Sequence, residues 1–211
     1  MLKKLLATVF ASLFLLSSVA AFADDNTVLM FVRDNSRNLE LMLDEEVLLM
    51  KRMLEDEGYS VEVATVDGMD LKAGEFSVTV DHKVADVSMD DYGAIAIPCM
   101  APPPGAPYES EVVALVKAAS AANKPIAASR GAVGYLAEAG VLQGKKYAYA
   151  SAVNLEERPS FRGGSFVGTG TQRDGLVTTN GICPLASRGL NLPDGTTDMT
   201  IEFLASLKER G

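Results

Sequence analysis

Apolar residues along the chain fall into short uninterrupted runs, separated by longer stretches in which they recur at helical spacing. Val28–Val32 and Ala94–Pro98 are runs of the first kind, which are typical of strands buried on both faces of a sheet. Leu39–Glu57 is a stretch of the second kind, and Gly58 is placed to end it. The chain therefore opens with a predicted strand, helix and strand in succession.

The same two patterns continue to the C-terminus. Further strands are predicted at Val61–Thr65, Pro125–Ala128, Tyr147–Ala150 and Leu176–Thr179, with a small hairpin around Phe76–Val80. Helices are predicted at Glu111–Ala122, Gly131–Ala139 and Thr197–Lys208, and a surface loop that could include a short strand at 154–170. Strands that alternate with helices imply βαβ units. The pattern predicts a flavodoxin-like three-layer α/β sandwich, with a mostly parallel sheet and helices on both faces.

The N-terminal residues 1–23 have the pattern of a secretory signal peptide. Lys3-Lys4 is followed by the apolar run Leu5–Leu16 and by Ala21-Phe22-Ala23, which has small residues where signal peptidase reads them. The alternative is a membrane anchor, but the run is short for a bilayer span of about 20 residues. We expect cleavage after Ala23, a single mature domain over 24–211, no membrane span after cleavage, and a periplasmic or secreted protein.

Charge and composition narrow the range of partners. The formal net charge is −9, so nucleic acid is not an expected partner, and solubility is the ordinary meaning of such a charge. The one histidine, His82, and the two cysteines show no spacing typical of a metal site. We expect no metal and no cofactor, and a small molecule as the ligand.

Glu46 is the first candidate for chemistry. It lies four residues from Met42 and from Met50, and therefore in the middle of the apolar face of the first predicted helix. Burial there would favour the neutral carboxyl group. The alternative is a carboxylate at the edge of that face, paired or reaching water.

The segment Ile126–Gly131 is the second candidate. A short apolar strand passes into a helix start with almost no loop, which is typical of a strand–turn–helix elbow that presents a side chain at the sheet edge. Ser129 is the predicted presented residue, and its more common role would be a helix N-cap. Arg130 beside it adds a positive charge that could hold a small anion.

Two cysteines follow predicted strands at what should be the same sheet edge. Cys99 comes directly after Ala94–Pro98, and Cys183 follows Leu176–Thr179. Open α/β sheets bind ligands at the carboxyl ends of their strands. In an exported protein the pair is predicted to form a disulfide, the alternative being two separately buried thiols.

Several stretches together resemble the DJ-1/PfpI family of the class I glutamine amidotransferase-like superfamily. They are Glu45-Glu46-Val47 in the first helix, Asp90–Pro98, Lys124–Ala128, Leu136–Lys146 and Arg173–Gly181. The resemblance spans Val28 to Gly181 and resumes in the final helix. It implies the fold above and a homodimer as a plausible assembly.

The resemblance also implies roles for residues, and the chain departs from most of them. The family glutamate corresponds to Glu46. The elbow cysteine is replaced by Ser129, the histidine after it by Arg130, and a Gly-Gly after the middle strand by Cys99-Met100, so that Gly131 and Met100 would face a bound ligand. A serine hydroxyl is a far weaker acid than a thiol and needs an adjacent base, which no histidine is placed to supply.

Three functional hypotheses follow. The first is a non-catalytic protein that binds a small anion at Arg130, Gly131 and Met100. The second is a thiol or redox enzyme that uses Cys99 with Cys183, and the third is a hydrolase of the family's type with Ser129 as nucleophile and Glu46 beside it. Residues 185–195 form a longer connection than the family's, and the sequence leaves open whether it covers the pocket or alters pairing.

Overall fold

The structure, a computed structural model, describes residues 24–36, 38–99, 107–151, 155 and 157–210. The predicted signal peptide and Met100 lie outside the described residues. Within them, no helix combines the length and the apolarity needed to cross a bilayer.

A seven-stranded sheet forms the centre of the protein. Its order is β10-β11-β7-β6-β1-β2-β5. The strands are β1 (Asp24–Phe31), β2 (Ser60–Thr65), β5 (His82–Lys83), β6 (Tyr92–Ile97), β7 (Ile126–Ser129), β10 (Thr171–Asp174) and β11 (Val177–Asn180). All neighbours are parallel except β10, which is antiparallel to β11. The predicted mostly parallel sheet is confirmed.

The first helix is continuous but not uniform. It begins as α1 (Leu39–Met42), passes through a π-helical segment at Leu43–Val47, and continues as α2 (Leu48–Asp56). Gly58, with φ of 89°, follows its end, as expected of a helix-terminating glycine. The π-helical segment was not predicted, because apolar spacing alone does not distinguish a locally wider turn from a regular one.

The remaining helices are α3 (Ser110–Ala121), α4 (Val133–Glu138), α5 (Pro184–Leu190) and α6 (Thr196–Arg210). They divide between the two faces of the sheet. Alternate side chains of β1, such as Leu29 and Phe31, pack with α3 and α4 in one buried cluster. Their neighbours Val28 and Met30 pack with the first helix and α6 in the other. The predicted three-layer sandwich is therefore confirmed.

Two small sheets lie outside the main one. β3 (Leu71–Ala73) and β4 (Phe76–Val78) form the predicted hairpin. β8 (Lys146–Ala148) pairs with β9 (Ser165–Gly168), so the segment predicted as one further strand of the fold contributes to a separate pair. β9 is the short strand allowed for within the segment predicted as a surface loop, and a 3₁₀ turn, Pro159–Phe161, lies in the same segment.

Candidate functional site

Four elements bring polar and thiol groups to the carboxyl edge of the sheet. Cys99 follows β6, Ser129 ends β7, and Glu46 approaches from the first helix. Cys183 follows β11 and directly precedes α5. We call the group Glu46, Cys99, Ser129, Arg130 and Cys183 the edge cluster. The structure thus brings together the candidate residues that the sequence analysis named and that the structure describes.

Glu46 is fully buried, at 0% exposure, within the π-helical segment. Its Oε2 accepts a hydrogen bond from the Cys99 amide at 3.1 Å. Its Oε1 has no hydrogen-bond partner among the described residues. Burial is the main cause that raises the pKa of Glu46 well above its usual value, with further contributions from Cys183 and Asp194. The Ser129 hydroxyl and the Cys99 amide oppose this only in part, so the environment favours the neutral form of the carboxyl group.

Ser129 ends β7 with extended backbone, φ −104° and ψ 128°, and its side chain makes no helix-capping hydrogen bond. The N-cap role is therefore wrong. The hydroxyl points instead toward Glu46 and Asn180, whose Nδ2 lies 3.5 Å from Oγ. Asn180 is the register partner of Ser129 in β11. Ser129 is 0% exposed, and burial favours the neutral, non-basic form of Glu46, so the described residues around the hydroxyl offer no strong base to activate it.

The strained residue of the elbow is Arg130, one position later than the residue predicted to be presented there. Its φ is 47°, in the left-handed region that residues with a side chain rarely occupy. A strained turn between strand and helix is what gives an elbow its sharp presentation. The Nη1 atom of Arg130 is buried and has no hydrogen-bond partner among the described residues. The elbow therefore presents a cation.

Cys99 lies between Glu46 and the elbow. Its amide is bonded to Glu46, and its sulfur accepts the Gly131 amide. The thiol also hydrogen-bonds Cys183. That bond, together with burial and the nearby Glu46, raises the pKa of Cys99 well above its usual value. Gly131, predicted to face a ligand, thus directs its amide at a protein sulfur, and Met100 is not described.

Cys183 is a free thiol, as is Cys99, so the predicted disulfide is not formed in the structure. The hydrogen bond from Cys99 is the largest of the effects that lower the pKa of Cys183 to about 7. The amides of Ala186 and Leu185 and the charge of Arg130 act in the same direction, against desolvation. Cys183 is the group in the edge cluster that ionises near neutral pH.

Two contributors were missed by the sequence analysis. Asn180 is buried at 0% exposure and is held by the backbone of Ile182, and the side chain of Asp194 accepts hydrogen bonds from the amide and hydroxyl of Thr196. Burial raises the pKa of Asp194. Asn180 carried a usable signal, since it is a polar residue at the end of a buried strand. Asp194 carried none, because its segment was interpreted as an insertion.

The segment 185–195 contains all but the first residue of α5 (Pro184–Leu190), a helix that the sequence did not predict. Arg188 on α5 forms an ion pair with Glu45, one residue before Glu46. The segment therefore lies against the first helix beside the edge cluster. In the described ranges, no three His, Cys, Asp or Glu side chains are placed to hold a metal ion.

Three surface clefts are lined by described residues that do not belong to the edge cluster. Their volumes are about 390, 500 and 540 Å³, and they are lined respectively by α1 with Arg188, by aromatic residues around Phe161, and by β10 with α6. None brings together a thiol, a neutral carboxyl group and a cation. The edge cluster is the stronger candidate for chemistry.

The architecture and the strained junction define a class, the flavodoxin-like α/β proteins with a strand–turn–helix elbow facing a buried glutamate. The family model of the DJ-1/PfpI family matches residues 26–183, which is most of the sequence. The chain belongs to the DJ-1/PfpI family. No curated protein is similar to it at a significant level.

Solved structures share the fold. A ThiJ/PfpI domain protein from Brachyspira murdochii has a TM-score of 0.67 at 17% identity, over 87% of this chain and 97% of that one. A DJ-1 superfamily protein from Agrobacterium tumefaciens has a TM-score of 0.59 at 19% identity, over 85% and 97%. Drosophila melanogaster DJ-1beta has a TM-score of 0.59 at 19% identity, over 87% and 94%. At such low identity the likeness extends to the fold alone.

Proposed function

We propose that this DJ-1/PfpI protein is exported and binds a small anion at Arg130, without a nucleophile at the elbow. One observation carries the proposal: the elbow residue is an arginine in left-handed backbone, with a buried guanidinium nitrogen that lacks a partner among the described residues. A carboxylate or phosphate would supply the missing partner, since guanidinium groups bind such oxygens in pairs.

Backbone strain supports a functional reason for the arginine. A side-chain-bearing residue in sparsely populated backbone costs of the order of 1–3 kcal/mol, and glycine would avoid that cost. Arg130 adopts φ of 47° directly before the buried Gly131. A cation retained at a strained position of this kind is typical of a binding site.

The surroundings of Arg130 favour an incoming anion over a covalent reaction. Glu46 is neutral because it is buried, so it does not compete as a full negative charge. Ser129 is enclosed and lacks a base, and the Gly131 amide is already bonded to Cys99. The guanidinium group of Arg130 is therefore the main element of recognition.

A thermal-shift screen tests anion binding. The mature protein is screened with acetate, oxalate, succinate and inorganic phosphate, beside Arg130→Gln and the matched control Arg52→Gln, which changes an exposed arginine on α2. We expect at least one anion to stabilise the mature protein and the control but not the Arg130 variant. Equal stabilisation of all three proteins, or of none, contradicts the proposal.

Export and a homodimeric state rest on the sequence pattern and on the family resemblance. For export, the full chain is expressed in a Gram-negative bacterial host and the periplasmic fraction is analysed by intact mass. We expect a mature chain that begins at Asp24, and a protein retained in the cytoplasm with residues 1–23 would contradict export. Light scattering of the mature chain measures whether it is a dimer.

A further inference from the structure

The two cysteines of the chain are the only two thiols it has, and they meet in the edge cluster. They come from different parts of the fold, Cys99 after β6 and Cys183 before α5. Both are free, and their side chains are close enough for the Cys99 thiol to hydrogen-bond the Cys183 sulfur. A disulfide between them requires the two sulfur atoms to approach from hydrogen-bond distance to about 2.05 Å.

Their surroundings make the two sulfur atoms chemically different. Cys183 accepts amide hydrogen bonds from Leu185 and Ala186 and lies near the positive Arg130, all of which stabilise a thiolate. Cys99 lies beside the Glu46 carboxyl group and acts as the donor to Cys183. Cys183 is thus the attacking sulfur, and Cys99 remains a thiol.

We infer that Cys183 and Cys99 form a two-cysteine redox site that reduces small hydroperoxides and closes to an intramolecular disulfide. The Cys183 thiolate attacks the peroxide, a sulfur–oxygen bond forms, the oxygen–oxygen bond breaks, and the alcohol or water leaves with a proton. The Cys99 thiol then attacks the sulfenic acid, the sulfur–sulfur bond forms, and water leaves. In sum, two thiols and one hydroperoxide give one disulfide, one alcohol and one water.

Burial defines the substrate. Cys99 is 8% exposed and Cys183 is 1% exposed, so only an oxidant near the size of hydrogen peroxide can reach the pair without opening the fold. The same enclosure excludes a protein disulfide as the oxidant, because exchange needs a large partner to contact the sulfur. Neither cysteine is the elbow residue, so the site does not depend on anion binding at Arg130.

The experiment treats the reduced mature protein with one equivalent of hydrogen peroxide. Intact mass spectrometry follows the loss of two hydrogens, and alkylation after unfolding counts the remaining thiols. We expect an intramolecular disulfide that dithiothreitol reverses. Cys99→Ser should stop at a sulfenic acid on Cys183, which adds one oxygen to the intact mass and is trapped when the protein is unfolded in dimedone. Cys183→Ser should lower the rate of peroxide consumption at least about tenfold.

Several results would overturn the inference. In the wild-type protein, these are thiols that stay reduced, oxidation to sulfinic acid without a disulfide, or disulfides between chains. In the variants, it is an equal loss of peroxide consumption with no sulfenic acid formed in Cys99→Ser. Circular dichroism establishes that each variant is folded. If Cys183→Ser does not fold, the pH dependence of the wild-type protein is the test. Its rate of peroxide consumption should rise about tenfold between pH 6 and 8 as Cys183 ionises, and a rate that does not change with pH contradicts Cys183 as the attacking thiolate.

Discussion

Two clusters of buried polar side chains lie at the same edge of the sheet and differ in whether their charges and hydrogen-bonding atoms have partners. On the face covered by α3 and α4, Arg33 is 3% exposed and bonds both Glu109 and the Tyr135 hydroxyl, the latter at 2.9 Å. Tyr135 also donates to Glu109. We call these three residues the arginine–tyrosine cluster. Its cation is matched by an anion, although Nε of Arg33 lacks a partner among the described residues.

The edge cluster on the other face is not matched in this way. Glu46 is neutral with one oxygen lacking a partner, and Arg130 has a buried nitrogen in the same condition among the described residues. Among the described residues, the Cys183 thiol lies near Arg130 and is partly ionised near pH 7. Removing one partner of a matched buried ion pair is costly. A buried cation without an internal carboxylate partner is instead a candidate position for a ligand or a reaction.

The largest expected effect comes from breaking the matched cluster. Arg33→Met removes the cation and leaves Glu109 and Tyr135 without it, which should lower the free energy of unfolding by about 3 kcal/mol. Urea denaturation measures this. The control Arg173→Met removes surface ion pairs with Glu202 and Glu209 and should cost under about 1 kcal/mol. Similar losses for the two variants would end the distinction between a matched cluster and a surface pair.

Glu46→Gln tests the neutral carboxyl group of the edge cluster. The pKa of Glu46 is raised in the folded protein, so its contribution to stability is present below about pH 4.5 and is lost as pH rises toward the folded value. Glutamine keeps an oxygen for the Cys99 amide and cannot ionise. The variant should therefore be more stable than wild type by about 1–2 kcal/mol at pH 8 and similar at pH 4.5. Urea denaturation at both pH values measures this. A difference in unfolding free energy between the two proteins that does not change with pH would contradict a buried, neutral Glu46.

Arg130→Gly separates stability from binding. Glycine adopts φ of 47° without strain, so the variant should gain about 1 kcal/mol in unfolding free energy while losing the anion-induced thermal shift. The matched control is Asn123→Gly, at φ of 53°, where asparagine already tolerates left-handed backbone and the change should be under about 0.5 kcal/mol. Loss of stability in Arg130→Gly, with anion binding retained, would contradict the role given to Arg130.

The smallest expected effect concerns pH and anion binding in the reduced protein. Above pH 7 the Cys183 thiolate neutralises part of the charge of Arg130, so anion affinity should fall severalfold between pH 6 and 8, a change of about 1 kcal/mol. Calorimetric titration of the best anion measures it. Cys183→Ser should remove the dependence, since serine does not ionise in this range. The same change of anion affinity with pH in both proteins would show that a group other than Cys183 causes it.

Much of the fold could be predicted from the sequence. The apolar runs gave the central strands, and the spacing of Met42, Glu46 and Met50 placed a carboxyl group inside the protein, where it is. Both features depend on local periodicity, which a single sequence displays. The convergence of strand ends at one edge follows from parallel topology.

The rest depends on tertiary structure. Nothing at Arg130 indicates left-handed backbone, which glycine or asparagine would have suggested, because the strain is imposed by the strand and helix on either side. Residues 184–190 lack a clear apolar period and are rich in loop-forming residues, so α5 was missed. The amide hydrogen bonds to Cys183 were missed with it, and they make its thiol different from that of Cys99.

A crystal structure of the reduced mature protein, grown with the anion that gives the largest thermal shift, tests the central claim most directly. We predict an anion bonded to the Arg130 guanidinium at the junction after β7, with Glu46 still bonded to the Cys99 amide. An anion bound elsewhere, with Arg130 paired to a group of the protein itself, would contradict the account.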